Sequence, residues 1–463
     1  MSRTHIIWQR CLLAAAISQI AFPQGIREVF AEPRTAWLSR QSRTQQEDNA
    51  DDGAEKPATL DEAYLLISEG QTDDALAVLD DLLLREPGNP WGLYFKGLAL
   101  MSSGRPRAAL ETMDSALDAA VEVQAEPELL SSIRIARAAA RRELFSFNLR
   151  AGFFHDTNVS FLDDAAAQPG LIAGDEDGYF GLGADFRVAL FHLPRTRAWL
   201  DFRTGQSWHY DIDSFDYQNY GGSLSIRHNV TDALAIEAGY DYDVDLLGRK
   251  MFGSFQRGRL RLDFTPAFPD GPVVPARTSA FYHLESNDFQ FETADVFDQD
   301  ATVHLAGIEQ VLRLRPVVES PFFVDLMLGY RYSYHDTDGT EFQRRRHRFQ
   351  TGLSMPVLNP MGEGEYWLIP SLPMNVELGL DWLLDRYTED SMIDRDNVRR
   401  RDHVLQYRFA LSQVLIDDPV DGRLTLRFLF QYFDADSNVI TEDRRQPFDY
   451  QKGLYGLQLH WSW

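Results

Sequence analysis

The chain has 463 residues, of which 44% are hydrophobic and 25% charged, a composition that excludes a disordered protein and allows two or three domains. A formal net charge of −25 argues against a nucleic-acid partner, whose phosphates need clustered Lys and Arg. It does not argue against a membrane.

Residues 1–31 have the pattern of a cleaved export signal. Arg3 and Arg10 precede the apolar run CLLAAAISQIAF (Cys11 to Phe22), and Val29-Phe30-Ala31 offers a small-x-small cleavage site. The run is too short to span a bilayer as a helix. The one cysteine, Cys11, lies inside this segment, and WQRC lacks the small apolar lead-in of a lipoprotein signal. The mature chain is therefore expected to have no disulfide, thiolate zinc site or cysteine nucleophile. No later stretch reaches 18 uncharged apolar residues, so entry into a membrane would have to be as a barrel. Residues 32–57, with QQEDNADDGAEK at their centre, are too poor in large apolar groups to offset the cost of ordering them and are expected to form a flexible acidic lead.

From residue 58 to residue 144 the period is helical and a repeat of 34 residues appears. It places Ala63 on Gly97, Gly70 on Gly104, Ala75 on Ala109, Leu76 on Leu110, Leu79 on Met113 and Leu82 on Ala116, with GQTDDAL matching GRPRAAL. Small residues at Ala63/Gly97 and Ala75/Ala109 let two antiparallel helices cross closely, and Pro87 closes the first unit. This resembles the tetratricopeptide repeat. Pro127 to Leu144 is expected as a capping helix, and the unit could serve as a peptide-binding groove or as a rigid spacer.

After Phe145 strict alternation takes over, as in Gly422 to Tyr432, Val324 to Ser333 and Arg257 to Phe264. Fourteen strands are expected over residues 145–463, starting near Phe145, Gly178, Arg197, Tyr217, Ala233, Met251, Ala276, Asp300, Pro321, Arg345, Leu372, Arg400, Gly422 and Asp449. Every odd strand runs from an aromatic cluster into an acidic segment: GFFHD, SWHYD, GYDYDVD, YHLESND, YSYHDTD, DRYTED and QYFDAD. A soluble sandwich has no reason to set aromatics at one height on every second strand, whereas a bilayer interface does. Connections after odd strands are expected to be mostly long, and those after even strands, such as NVTD and IDDPVD, short. In the last strand, YGLQLHWSW, Tyr455, Leu457, Leu459, Trp461 and Trp463 form an apolar face toward lipid, and the strand is expected to pair with the first. The expected fold is α+β and multidomain: a short N-terminal tetratricopeptide-like helical domain followed by a transmembrane antiparallel β-barrel of about 14 strands. Its termini and helical domain would face the periplasm and its acidic loops the exterior.

The polar faces of the strands point into the lumen. They carry Arg150, Arg187, Arg203, Arg227, Arg257, Arg259, Arg261, Arg331, Arg348, Arg408 and Arg427 beside Asp185, Asp201, Glu237, Asp241, Asp263, Asp325, Glu377 and Asp381. Such a lining could select an anionic substrate or brace the barrel by cross-strand ion pairs, and the similar number of both signs favours the brace. Asp434, Asp436 and Asn438 have the spacing of a calcium loop, but Val439 stands where such a loop needs glycine and Arg445 where it needs a closing Glu, so a solvated loop is expected. GxSxG and HExxH are both missing, and no catalytic residue, metal or cofactor is expected.

An export signal, a short repeat domain and a fourteen-strand barrel, with Gly152-Phe153-Phe154-His155-Asp156-Thr157-Asn158-Val159 in the first strand, together resemble the surface lipoprotein assembly modifier family. That resemblance implies an outer-membrane translocon that helps lipoproteins reach the cell surface, with a lipoprotein client received by the periplasmic helical domain. The aromatic last strand also resembles the signal read by the barrel-assembly machinery, which would be a second partner beside outer-membrane lipids. The alternative is an exopolysaccharide export porin, which likewise joins tetratricopeptide repeats to a barrel.

Overall fold

The computed structural model describes residues 59–159, 176–266, 271–290, 298–314, 324–357, 374–442, 446 and 448–463. The expected export signal and acidic lead lie outside the described residues, as do most of the first connection between strands and Arg445.

Five helices come first: α1 (Leu60–Ser68), α2 (Thr72–Arg85), α3 (Pro90–Ser102), α4 (Pro106–Glu122) and α5 (Pro127–Leu144). Their starts are written in the sequence. The Thr59 and Asn89 side chains accept from the backbone N–H of Glu62 and Gly92, and α3, α4 and α5 each open on proline, whose missing N–H costs nothing there. The repeat positions become the core. Ala63, Ala75, Leu79, Ala99 and Ala109 are fully buried in one cluster, with Met113, Ala116, Ala120 and Ile133 in the next. No helix among the described residues is long and apolar enough to cross a membrane.

Fourteen strands follow: β1 (Phe145–Asp156), β2 (Asp177–His192), β3 (Thr196–His209), β4 (Tyr217–Asn229), β5 (Leu234–Leu247), β6 (Lys250–Phe264), β7 (Val273–Phe289), β8 (Ala301–Leu314), β9 (Val324–Thr337), β10 (Arg344–Val357), β11 (Met374–Asp390), β12 (Arg399–Asp418), β13 (Gly422–Ser437) and β14 (Tyr450–Ser462). Each pairs antiparallel with its sequence neighbours, and β1 pairs with β14 from Asn148↔Ser462 to Asp156↔Leu454, closing the barrel. Closure depends on glycine at the seam. A Cβ on Gly456 would lie 2.6 Å from the Phe153 carbonyl oxygen and would also strike the Phe154 ring.

Expected strand starts fall within three residues of the observed ones, the largest differences being at β7 and β9. Loop length divides the two rims only in part: the connections after β2, β4 and β12 are short, as expected, but there are exceptions on both rims. β5 and β6 are joined by Gly248 and Arg249 alone, with φ of 53° and 64°, whereas β10 ends at Val357 and β11 begins only at Met374. Antiparallel order fixes which rim a connection occupies, and a hairpin with positive φ at both central residues needs only two.

The alternation places one kind of side chain outside and another inside. Every strand carries an exposed large apolar or aromatic residue on its outer face, from Phe153 on β1, Leu182 on β2 and Phe202 on β3 to Tyr407 on β12, Phe428 on β13 and Leu457 on β14. An apolar surface encircling the whole barrel is far larger than a water-soluble monomer exposes, and it suits a hydrocarbon surround. Ring contacts run across strands on this face: Phe153–Phe180 at 5.1 Å, Phe180–Trp208 at 5.7 Å, Tyr330–Phe349 at 5.2 Å and Phe349–Trp382 at 5.6 Å.

Candidate functional site: the lumen lining and its two rims

The inward face is a ladder of guanidinium and carboxylate groups. All nineteen residues that the sequence places on the lumen face are in ion pairs there. Arg187 meets Asp201 at 2.5 Å, Arg203 meets Asp243 with its Nε donating at 2.7 Å, and Arg227 lies 3.4 Å from Glu237 and 2.5 Å from Asp263. Arg257 meets Glu285 at 2.6 Å, Arg259 meets Asp241 at 2.7 Å and Arg261 meets Asp263 at 2.8 Å. Arg331 meets Glu309 at 2.6 Å, Asp325 accepts from Arg313 at 3.0 Å, and Asp185 pairs with Arg150 at 2.6 Å. Arg427 pairs with Glu377, while Asp381 accepts from Arg348 and Arg408 together.

Some partners are not on adjacent strands. Arg203 reaches Asp243 from β3 to β5, and Arg427 reaches Glu377 from β13 to β11, each skipping one strand. Reading strand by strand misses Asp243, because the sequence says which face a residue occupies and not which distant strand a long guanidinium stem spans; it also misses Glu285, Glu309 and Arg313, whose partners lie on adjacent strands and follow only from the pairing. Most of these arginines keep a fifth or more of their side-chain surface in contact with solvent, so each such pair contributes about 1 kcal/mol or less. Asp381 is different: it is fully buried and holds two arginines.

At the rim away from the helices, a denser cluster fills the side beneath β10 to β13. Asp385 lies 2.6 Å from Arg346 and 3.6 Å from Arg344, and Asp402 lies 2.6 Å from Arg400 and accepts from the Tyr387 hydroxyl at 3.1 Å. Phe448, from the connection between β13 and β14, lies 3.3 Å from the Arg400 guanidinium and is buried. Three connections lock together above it. Glu341 accepts from the Ser391 hydroxyl and the Met392 N–H, and Asp394 accepts from the N–H groups of Asp396, Val398 and Ile440. Burial opposes ionisation of Asp394, but these three donors outweigh it and hold its carboxyl below the usual carboxylate range. Asn438 donates to the Arg399 carbonyl and accepts from the Arg401 N–H, and Val439 is fully buried, so the stretch expected as a solvated loop is a hydrogen-bonded turn packed against the rim.

At the opposite rim the helical domain meets the barrel without a linker, since α5 ends at Leu144 and β1 begins at Phe145. Three consecutive residues of α5 make the joint. Arg141 lies over the Trp463 ring at 4.4 Å, Arg142 donates to the Pro419 carbonyl, and Glu143 pairs with Arg197 at 3.3 Å. Trp463 also packs on Phe145 at 5.7 Å between ring centres and donates its Nε1–H to the Val420 carbonyl. Expected as part of a lipid face, Trp463 is instead a clamp holding α5, β1 and the β12–β13 turn together. A cleft of about 400 Å³ lies beside the joint, lined by Arg105, which precedes α4, Arg107 of α4, and Leu190 and Phe191 of β2.

Residues 66–128 match the family model for the tetratricopeptide repeat. None of the curated proteins matches the chain. Among solved structures, CdiB from Acinetobacter baumannii aligns at 11% identity and a TM-score of 0.35, covering 69% of this chain and 60% of that one. A bacterial polysaccharide outer membrane secretin aligns at 10% identity and 0.35, covering 68% and 98%, and OpdL from Pseudomonas aeruginosa at 10% and 0.35, covering 69% and 98%. The chain joins a tetratricopeptide repeat domain to a closed antiparallel barrel of fourteen strands.

Proposed function

We propose that this protein is an outer-membrane translocon that assists delivery of lipoproteins to the cell surface, with its helical domain in the periplasm receiving the client. The observation that carries this reading is the rigid joint: a repeat domain of a peptide-binding type is fused to β1 without a spacer residue and clamped to the rim by Arg141, Arg142 and Glu143. A client held by the helices would be presented at the mouth of the barrel. The ion-pair ladder braces a wall too wide to fill with apolar groups, and the role is one of transport and not catalysis. Outer-membrane lipids and the barrel-assembly machinery are the further partners of this reading.

The test has two stages. Cells expressing the protein are fractionated, and the outer-membrane fraction is run unheated and boiled; an intact barrel migrates faster unheated. A chain that stays in the soluble periplasmic fraction would sink the membrane reading. Residues 59–144 are then deleted. The barrel is expected to remain heat-modifiable, because its strands pair only with one another, while protease shaving of whole cells shows reduced display of a co-expressed partner lipoprotein. Undiminished display demotes the helical domain to a spacer, and loss of exported polysaccharide instead favours an export porin.

A further inference from the structure

The far-rim ends of β10, β11 and β12 carry the runs Arg344-Arg345-Arg346, Asp385-Arg386-Tyr387 and Arg400-Arg401-Asp402, and alternation divides these arginines into two sets. Arg344, Arg346 and Arg400 face inward, and each has the carboxylate of Asp385 or Asp402 within 3.6 Å. Arg345, Arg386 and Arg401 share the outward face of Phe349, Trp382 and Tyr407 and are exposed.

Register then sets the outward three side by side. Arg345 is directly opposite Arg386, and Arg386 is directly opposite Arg401. Three guanidinium groups therefore stand in a row across two interstrand spacings, roughly 10 Å. Like charges directly opposite one another oppose strand pairing, and here two such pairs occur in succession. Among the described residues none of the three has an ion pair, in contrast to their inward neighbours. The outward carboxylates of the flanking strands are engaged elsewhere or face another residue: Asp336 accepts from Gln343 and Tyr334, and Asp436 is opposite His403.

Height decides what could neutralise the row. Arg345 is four residues beyond Phe349, and Arg386 four beyond Trp382, or about 13 Å along the strand from the ring contacts of the apolar band. With that band in hydrocarbon, the row lies at the level of lipid headgroups. A guanidinium fork binds phosphate through two parallel N–H donors, and three adjacent forks suit a headgroup with more than one phosphate.

We propose that Arg345, Arg386 and Arg401 form a binding site on the outside of the barrel for a phosphorylated lipid headgroup of the leaflet that meets the far rim. The proposal rests on the reading of the barrel as an outer-membrane protein whose helical domain faces the periplasm. The test uses full-length protein folded in detergent, wild type and the triple variant R345Q/R386Q/R401Q, both checked for fast migration when unheated. Retention of bisphosphorylated lipid A, of the same lipid stripped of phosphate and of inorganic phosphate is measured by native mass spectrometry. Wild type is expected to retain bisphosphorylated lipid A at least tenfold more tightly than the stripped lipid, and the triple variant to lose at least tenfold. Should the triple variant fail to fold, Arg386→Gln alone, at the centre of the row, is expected to weaken retention several-fold. Equal retention by wild type and variant, no preference for the phosphorylated lipid, or binding of inorganic phosphate as tight as that of lipid A overturns the proposal. Migration that does not change on heating would instead remove the membrane reading beneath it, which separates the two failures.

Discussion

Asp381 shows how position decides the worth of an ion pair. Its carboxylate is fully buried between Arg348 and Arg408, and Gln350 donates to it as well. Removing it leaves two guanidinium groups facing each other without a counter-charge, so Asp381→Ala is expected to destabilise the barrel by about 3–5 kcal/mol. The same change at Asp201, whose side chain is only partly buried and whose partner Arg187 is more exposed still, is expected to cost about 1 kcal/mol or less. The temperature at which the fast-migrating form disappears measures the difference, and equal shifts would refute the ranking. A second contrast tests the two faces of one strand. Leu457 on β14 is half-exposed and faces outward, and Gln458 beside it is buried and faces the lumen. Leu457→Asp puts a carboxylate against hydrocarbon and is expected to cost up to about 2 kcal/mol, by the depth-dependent penalty of such sites, whereas Gln458→Asp, near Arg427, is expected to be milder. Comparable loss of folded barrel from both would mean that the faces are exchanged.

At the scale of elements, much was legible because helices and strands write their period into the sequence. The repeat GQTDDAL/GRPRAAL located two helical pairs, and alternation located fourteen strands and the inward face of each. The interlocked connections at the far rim were not legible. Their contacts join Glu341 to Ser391 and Asp394 to Ile440, residues tens of positions apart in segments without any period. The inward and outward sets of arginines in RRRHR and VRRRD could have been separated by counting parity from Phe349 and from Tyr407, a signal present in the sequence but masked by the charge run itself. Asp394 gives these connections a dependence on pH. Its folded carboxyl is held below the ordinary value of about 3.9, so it contributes stability above that value and loses it as pH falls through the lower folded one. The connections are therefore expected to loosen below about pH 4. Cleavage between Ser391 and Val398, measured at pH 7 and at pH 3 with a protease active at each pH and scaled to cleavage of an unstructured reference peptide, should rise at low pH in the wild type. Asp394→Asn should be cleaved readily at both, and a wild type indifferent to pH would contradict the assignment.

For the whole molecule, closure is the critical event, and the β1–β14 seam is where it occurs. Gly456→Leu would drive a side chain into Phe154 and the Phe153 carbonyl, so it is expected to prevent the seam from forming while leaving the helical domain folded. The prediction is checked by loss of the fast-migrating form together with retained helical circular dichroism in the full-length variant.

The seam also sets an order in time. It joins Asn148 to Ser462, more than three hundred residues along the chain, whereas the helices of the repeat domain contact partners a few tens of residues away. Local contacts form first and distant ones last, because the entropy of closing a long loop is lost before the contact is gained. The helical domain is then a finished object while the barrel is still an open sheet with two unpaired edges and an apolar face in water, a form prone to aggregate. Because α5 runs directly into β1, one of those two edges hangs from a folded body throughout that interval, fixed at its first residue while the other edge is still being made.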